Sequence, residues 1–184
     1  MLETELNPKS DYWFSNVEEP KIVTDANSIS WDDEADLVVI GLGGAGIAAS
    51  LEALEQNLSV IGLDKSSGGG ATARSGGVFY AGGGTSIQKE AGIEDSTENM
   101  YHYLKQEVGD VVKDSTLRRF CNDSPDNTKW LIDNGVQFNA TYYPKKTSYP
   151  DAGHYLYHSD NTLVQSYMEK AYPAARGHRG FRSE

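Results

Sequence analysis

Apolar positions are unevenly distributed along the chain, and their spacing changes character several times. Leu37, Val38, Val39 and Ile40 follow one another without alternation, which predicts a buried parallel strand over 36–41. Ile47, Leu51 and Leu54 then fall at helical spacing, predicting a helix over 44–56 with Asn57 as its C-terminal stop. The run "SVIGL", 59–63, predicts a second short strand. Strand, helix and strand together make a βαβ unit of about thirty residues. Residues 65–87 lose all periodicity. Helical spacing returns over 96–107, where Asp95 and Glu98 resemble a capping box, and over about 115–122. Ser124 and Pro125 read as a cap and first-turn proline for a further helix ending at Gly135. "VQFN" predicts a short strand, 141–160 a loop, and 161–171 a last helix.

Residues 1–34 carry Pro8 and Pro20, are acidic and show no period, so an extended arm is expected there, with Trp13 and Trp31 in ordinary packing. The expected organisation is this arm, then 35–94 as the start of a nucleotide-binding domain, then 95–184 as a helical and loop segment. A doubly wound sheet needs more than two or three strands. The chain stops at "RGHRGFRSE" without a closing element, so a fragment of a longer protein is expected.

Composition narrows the partners. The chain has 184 residues, 27 of them acidic and 16 basic, for a formal charge of −11. Binding to a phosphate backbone needs clustered Lys and Arg, so a nucleic-acid partner is not expected. No apolar run approaches the roughly 18 residues of a membrane helix, and no basic-then-apolar leader precedes the first strand. Cys121 is the single cysteine. It predicts no internal disulfide, a reducing cytoplasmic setting, and a small core residue rather than a nucleophile. Asp32, Asp33 and Glu34 read as a solvated acidic face.

The chemistry lies in the glycines, 19 in all and clustered between 41 and 84. Gly41-x-Gly43-x-x-Gly46 sits between strand and helix, where a dinucleotide pyrophosphate is held. Gly41 permits the tight turn, Gly43 lets the backbone approach the phosphates, and Gly46 lets the helix pack on the strands. Asp64, at the end of the second strand, can accept hydrogen bonds from ribose hydroxyls. A carboxylate there repels the 2′-phosphate of NADP, which leaves FAD and NAD. The next stretch, "SSGGGATARSGGVFYAGGGT", offers many unhindered N–H groups with the hydroxyls of Thr72 and Ser75. That suits a cofactor longer than one mononucleotide.

The glycine turn, the acid, and "GGGATARSGG" together resemble the FAD-binding half of the fumarate reductase and succinate dehydrogenase flavoprotein superfamily. "GGATARSGGVFYAGGGT", "ENMYHYL" and the later "RGH" are similar to its ketosteroid dehydrogenase branch, the 3-oxo-5α-steroid 4-dehydrogenases in particular. The resemblance spans about residues 31–180. It implies an α/β fold: a Rossmann-like FAD-binding domain, here incomplete, with a helical insertion over about 95–171. It also implies a flavin-dependent oxidoreductase that desaturates a carbon–carbon bond next to a ketone, with a 3-oxosteroid as leading substrate and an external electron acceptor or donor. Reduction of an activated double bond, or an inactive FAD-binding fragment, are the alternatives. Gly41, Gly43, Gly44, Ala45 and Gly46 would line the pyrophosphate. Asp64 would take the adenosine ribose, with Lys65 and Ser66 near the adenosine. Gly70, Ala71, Thr72, Ser75, Gly76 and Gly77 would contact pyrophosphate, ribityl or flavin. No His occurs in the 65–85 loop, so FAD is expected to be noncovalent. The superfamily's catalytic tyrosines come later in a longer chain, so no catalytic residue is assigned here.

Two stretches remain open. "TYYPKKTSYPDAGHYLYHSD" holds five Tyr and two His, read as a packed lid rather than an acid–base centre. Arg176, Gly177, His178 and Arg179 read equally as a solvated basic tail or, by resemblance, as an approach to the substrate side of the flavin.

Overall fold

Four apolar residues in a row make β1 (Leu37–Ile40), which pairs in parallel with β2 (Val60–Leu63) from Leu37↔Val60 to Ile40↔Leu63. The crossover is α1 (Gly44–Glu55), rich in alanine and so a ready helix former. It stops where expected: Asn57 takes a left-handed φ of 61°, while Asn57 N–H and Leu58 N–H return to the carbonyls of Leu54 and Ala53. The computed structural model describes residues 20–181. Pro8, Trp13 and most of the expected arm therefore lie outside the described residues, as does the chain beyond Phe181.

Val39 faces α1 and is buried, but Val38 and Ile40 alternate to the opposite face beside Ile61 and Leu63. Ile40 is 86 % exposed there. The unbroken apolar run predicted burial on both faces; among the described residues only the α1 face is covered.

The remaining chain is not simply helical. A second, four-stranded sheet runs in the order β3 (Val78–Tyr80), β6 (Gly177–Arg179), β5 (Leu156–His158), β4 (Tyr142–Lys146). β6 is antiparallel to both neighbours, and β4 is parallel to β5. Both stretches expected to be loops thus contribute strands. "VQFN" supplies only a single bridge, Phe138 to Gly180.

Three helical expectations are corrected. The helix expected from 96 is α3 (Thr97–Val108), and its cap is Ser96, whose Oγ accepts the Asn99 N–H, not Asp95. The capping box belongs instead to Thr85 and Gln88 at α2 (Ser86–Glu90). The two helices expected around Ser124-Pro125 are one, α4 (Asp114–Asp133), with Pro125 inside it. An interior proline costs about 3 kcal/mol. The helix survives because Leu117 and Cys121 pack on Met100 and Tyr101 of α3, and because Ser124 Oγ is used to accept the Gly82 N–H. The last expected helix shrinks to α5 (Gln165–Met168), since residues from Tyr172 onward lead into β6. Cys121 is buried as expected, and burial pushes its thiol up to about 11.

Candidate functional site

The turn after β1 is built by glycine. Gly41 has φ 93°, and its N–H donates to Leu63 O at 2.7 Å, closing β1 against β2. A Cβ on Gly46 would lie 1.9 Å from the Gly41 carbonyl oxygen, so nothing larger than glycine fits where α1 crosses the turn. Gly43 differs: a Cβ there would meet no protein atom within 4 Å. The space beside Gly43 is open, and the first intrahelical bond behind it is Ile47 N–H to Gly43 O. The N–H groups of Gly44, Ala45 and Gly46 therefore have no helical acceptor and stand at the positive end of α1.

The second glycine-rich segment folds back onto the first. Gly69 N–H donates to Leu42 O at 2.6 Å. Gly70, at φ 52°, comes so close to Gly43 that a Cβ would sit 3.2 Å from its Cα. A Cβ on Gly44 would meet Thr72 Oγ1 at 3.1 Å. Ala71 precedes a short 3-10 turn, Thr72–Arg74, closed by Ser75 N–H and Oγ–H on the Thr72 carbonyl. Gly77 follows at φ 69° with open space on its Cβ side.

Asp64 ties the two segments together. Its Oδ2 accepts the Leu42 N–H at 2.7 Å, and Oδ1 accepts Ser66 N–H and Oγ–H at 2.8 and 3.1 Å. These donors, led by the Leu42 N–H, hold its carboxyl below the usual range, so it is an anion. Lys65 is exposed beside it and makes no hydrogen bond among the described residues. Thus the segment of Gly41, Gly43, Gly44, Ala45 and Gly46, the acid Asp64 with Ser66, and the segment of Gly70, Ala71 and Thr72 meet around Leu42, a residue the motif leaves unnamed. Ser75, Gly76 and Gly77 continue from it into β3.

A buried polar clamp holds the far end. Arg176 is bidentate to Asp95 (Nε to Oδ2 2.8 Å, Nη2 to Oδ1 2.9 Å), and both side chains are fully buried. Burial would push the Asp95 carboxyl up, but the Arg176 guanidinium outweighs it and holds it below its ordinary range. Asp95 also takes the Gly83 N–H, and Gln88 takes those of Gly84 and Thr85 while donating to Ala175 O. His178 is buried: Nδ1–H donates to Arg176 O at 3.0 Å and Nε2 accepts from Thr85 Oγ1 at 2.9 Å. Arg176 and His178 are therefore neither a solvated tail nor an open approach to a ligand. The T-x-x-Q of Thr85 and Gln88 signals only the capping box beside this clamp; Asp95 resembles a cap locally because its partner Arg176 lies far along the chain.

Arg179 points elsewhere. Its guanidinium lies over the rings of Tyr149 and Tyr155, 4.5 and 5.5 Å from their centroids. Tyr149 OH donates to Gly76 O at 3.1 Å. The other Tyr and His residues of that stretch are engaged in packing: Tyr142 OH meets His158 Nε2 at 2.6 Å, and Tyr157 OH donates to Ser148 O. Burial pushes the His158 imidazole down, so it is neutral. Among the described residues no cluster of His, Cys, Asp or Glu could hold a metal ion, and no helix is long and apolar enough to cross a membrane.

The FAD binding domain family matches residues 36–178. The chain is 44 % identical over 162 residues to a 3-oxo-5-alpha-steroid 4-dehydrogenase of Comamonas testosteroni, covering 85 % of this chain and 30 % of that protein. It is 35 % identical over 106 residues to an NADH:fumarate oxidoreductase of Klebsiella pneumoniae, covering 56 % of this chain and 11 % of that one. Among solved structures, the 3-ketosteroid-delta4-(5alpha)-dehydrogenase of Rhodococcus jostii RHA1, in complex with 4-androstene-3,17-dione, superposes with a TM-score of 0.80 at 38 % identity, covering 86 % of this chain and 33 % of that one. The chain thus spans about a third of the length of these steroid dehydrogenases.

Proposed function

This chain belongs to the FAD binding domain family, and from that premise we propose that it forms the N-terminal, cofactor-holding part of a flavin-dependent oxidoreductase acting on a 3-oxosteroid. The observation that carries the reading is the meeting of the Gly41–Gly46 turn, the Gly70–Thr72 segment and the Asp64 carboxylate around Leu42.

The surface fits FAD. The open space beside Gly43, which a Cβ would fill, accepts a pyrophosphate against the N–H groups of Gly44, Ala45 and Gly46. Asp64 Oδ2 retains one acceptor site for an adenosine ribose hydroxyl, with Ser66 fixing the carboxylate and Lys65 beside it. Gly70, Ala71 and Thr72 bound the other side of the phosphates. Ser75, Gly76 and Gly77 would face the flavin side, where the Cβ direction of Gly77 is open. Noncovalent binding is consistent with residues 65–85 holding no His. Similarity to named steroid dehydrogenases supports the substrate class, and a buried lone thiol supports a reducing cytoplasm.

When bound, FAD supplies the hydride acceptor for a carbon–hydrogen bond next to a ketone-activated position. The work of this chain is to bind, orient and rigidify. The α1 N-terminus neutralises phosphate charge, Asp64 fixes the adenosine end, and the Asp95–Arg176 clamp anchors β3 and β6 behind the flavin-side turn. No residue here is assigned as catalytic acid or base. An external electron acceptor would complete the cycle.

Anaerobic addition of a 3-oxo-5α-steroid to the full-length protein tests the substrate. Bleaching of the oxidised flavin band is expected. Rapid reoxidation of reduced protein by fumarate or another enoate, with no bleaching by any steroid, would establish the reductase alternative instead.

A further inference from the structure

The two arginines around β6 are treated oppositely by the fold. Arg176 is fully buried and matched to a carboxylate. Arg179, three residues on, has no carboxylate within ion-pair distance among the described residues. It is half-buried, and its Nη1 is shielded from solvent without an acceptor. A guanidinium is not left partly desolvated and unmatched without cost. Tyr149 and Tyr155 supply ring faces to the cation, which offsets part of that cost and fixes the plane of the fork. Ring faces do not satisfy in-plane N–H donors. Those donors suit an electron-rich oxygen or an anion from a ligand.

The surroundings say which ligand. Arg179 lies opposite Val78 in the β3–β6 ladder, and the next residue, Gly180, donates to Gly77 O at 2.8 Å. Arg179 N–H donates to Tyr155 O at 2.8 Å, and Tyr149 OH is bonded to Gly76 O. The guanidinium therefore stacks on Tyr149, which is bonded to Gly76, and its own strand is tied through Gly180 to Gly77, the segment whose open side is assigned above to the flavin ring. A group fixed so rigidly to the cofactor's own turn suits a resident partner rather than a transient one.

We infer that Arg179 is a cofactor-facing cation that recognises the negative charge the flavin ring acquires on two-electron reduction, and so raises the flavin's reduction potential. This rests on the FAD reading. Two electrons and one proton taken from substrate leave one net negative charge on the ring at neutral pH. A fixed cation near the ring favours that state over the neutral oxidised one. The Tyr149–Gly76 bond and the two rings hold the fork in place for both states.

The test uses the full-length flavoprotein and three variants, Arg179→Met, Arg179→Gln and Arg179→Lys. Oxidised-FAD affinity is read by fluorescence titration, the midpoint potential by dye-coupled reduction, and stabilisation of the ring anion formed on sulfite addition at N5 by sulfite titration. In the Met and Gln variants the affinity for reduced relative to oxidised flavin should fall roughly tenfold, a drop of about 30 mV for a two-electron couple. Sulfite binding should weaken in parallel, and the Lys variant, which keeps the charge, should recover most of both shifts. An unchanged potential with flavin still bound overturns the inference. So does a uniform loss of oxidised and reduced FAD affinity, which would make Arg179 a packing residue. Should Met and Gln both lose flavin, the Lys variant decides: a potential close to wild type sustains the inference, and a drop of about 30 mV with the charge kept overturns it. A wild-type protein without flavin overturns the FAD reading itself, a separate and recognisable failure.

Discussion

The Asp64 carboxylate lies 2.7 Å from the backbone nitrogen of Leu42, at the centre of the glycine turn. The acid whose spacing suggests a ribose ligand is, in the fold, a structural staple. It holds the turn against β2 with one oxygen and the Ser66 loop with the other.

Asp64→Ala should weaken FAD binding by roughly ten- to a hundredfold, the size of a lost charge-assisted hydrogen bond. Asp64→Asn should not rescue it. An amide presents its own N–H2 to either Leu42 N–H or the Ser66 donors, so one side of the staple becomes a donor–donor contact. Fluorescence-quenching titration of both variants reads this. Full affinity in the Asn variant would mean that the staple is dispensable and only a ribose acceptor matters.

Two glycines of one motif should fail differently. Gly43 has φ −78° and an unobstructed Cβ direction, so Gly43→Ala should fold with an unchanged melting temperature yet lose FAD affinity. Gly46→Ala drives a Cβ to 1.9 Å from the Gly41 carbonyl and should destabilise the fold by about 1–3 kcal/mol or more. Thermal melts with and without FAD separate the two. Equal destabilisation by both would show that Gly43 is kept for the turn and not for a ligand.

The Asp95–Arg176 pair is fully buried, and removing one partner strands the other's charge. Asp95→Asn should cost about 3–5 kcal/mol. Urea unfolding is the measurement, and a cost below 1 kcal/mol, on the order of a surface pair, would contradict the clamp.

His178 makes stability pH-dependent. Burial pushes its folded-state pKa down to about 4, against about 6.5 when unfolded, so the native state holds it neutral. Its stabilisation is full above the unfolded pKa and is lost as pH falls from there toward the folded pKa, because the unfolded state then binds the extra proton. Between pH 7 and pH 5 the loss should be about 2 kcal/mol. His178→Gln should abolish that component in urea titrations at the two pH values. An identical slope in the variant would assign the pH dependence to other groups.

Much of the nucleotide end was legible in sequence, because its determinants are local. Apolar β1, alanine-rich α1, the Asn57 stop and the Gly41-x-Gly43-x-x-Gly46 turn all act within a few residues of themselves. The other end was not, because its determinants are distant. Strands β3, β5 and β6 have three residues each, too few to display a period, and β6 pairs with partners far back in the chain. Asp95 resembled a cap because Arg176 lies 81 residues away. Pro125 read as a helix start because the packing of Leu117 and Cys121 on α3, which carries the helix through it, is tertiary. Arg176 and His178 read equally as a tail or as an approach to the flavin for the same reason.

Flavin content is the most direct measurement. The full-length protein, purified without added cofactor and denatured by heat or acid, should be yellow and should release stoichiometric FAD into the supernatant. A colourless protein that binds NADH tightly and takes up no FAD would contradict the reading of the Leu42–Asp64 surface as a flavin site.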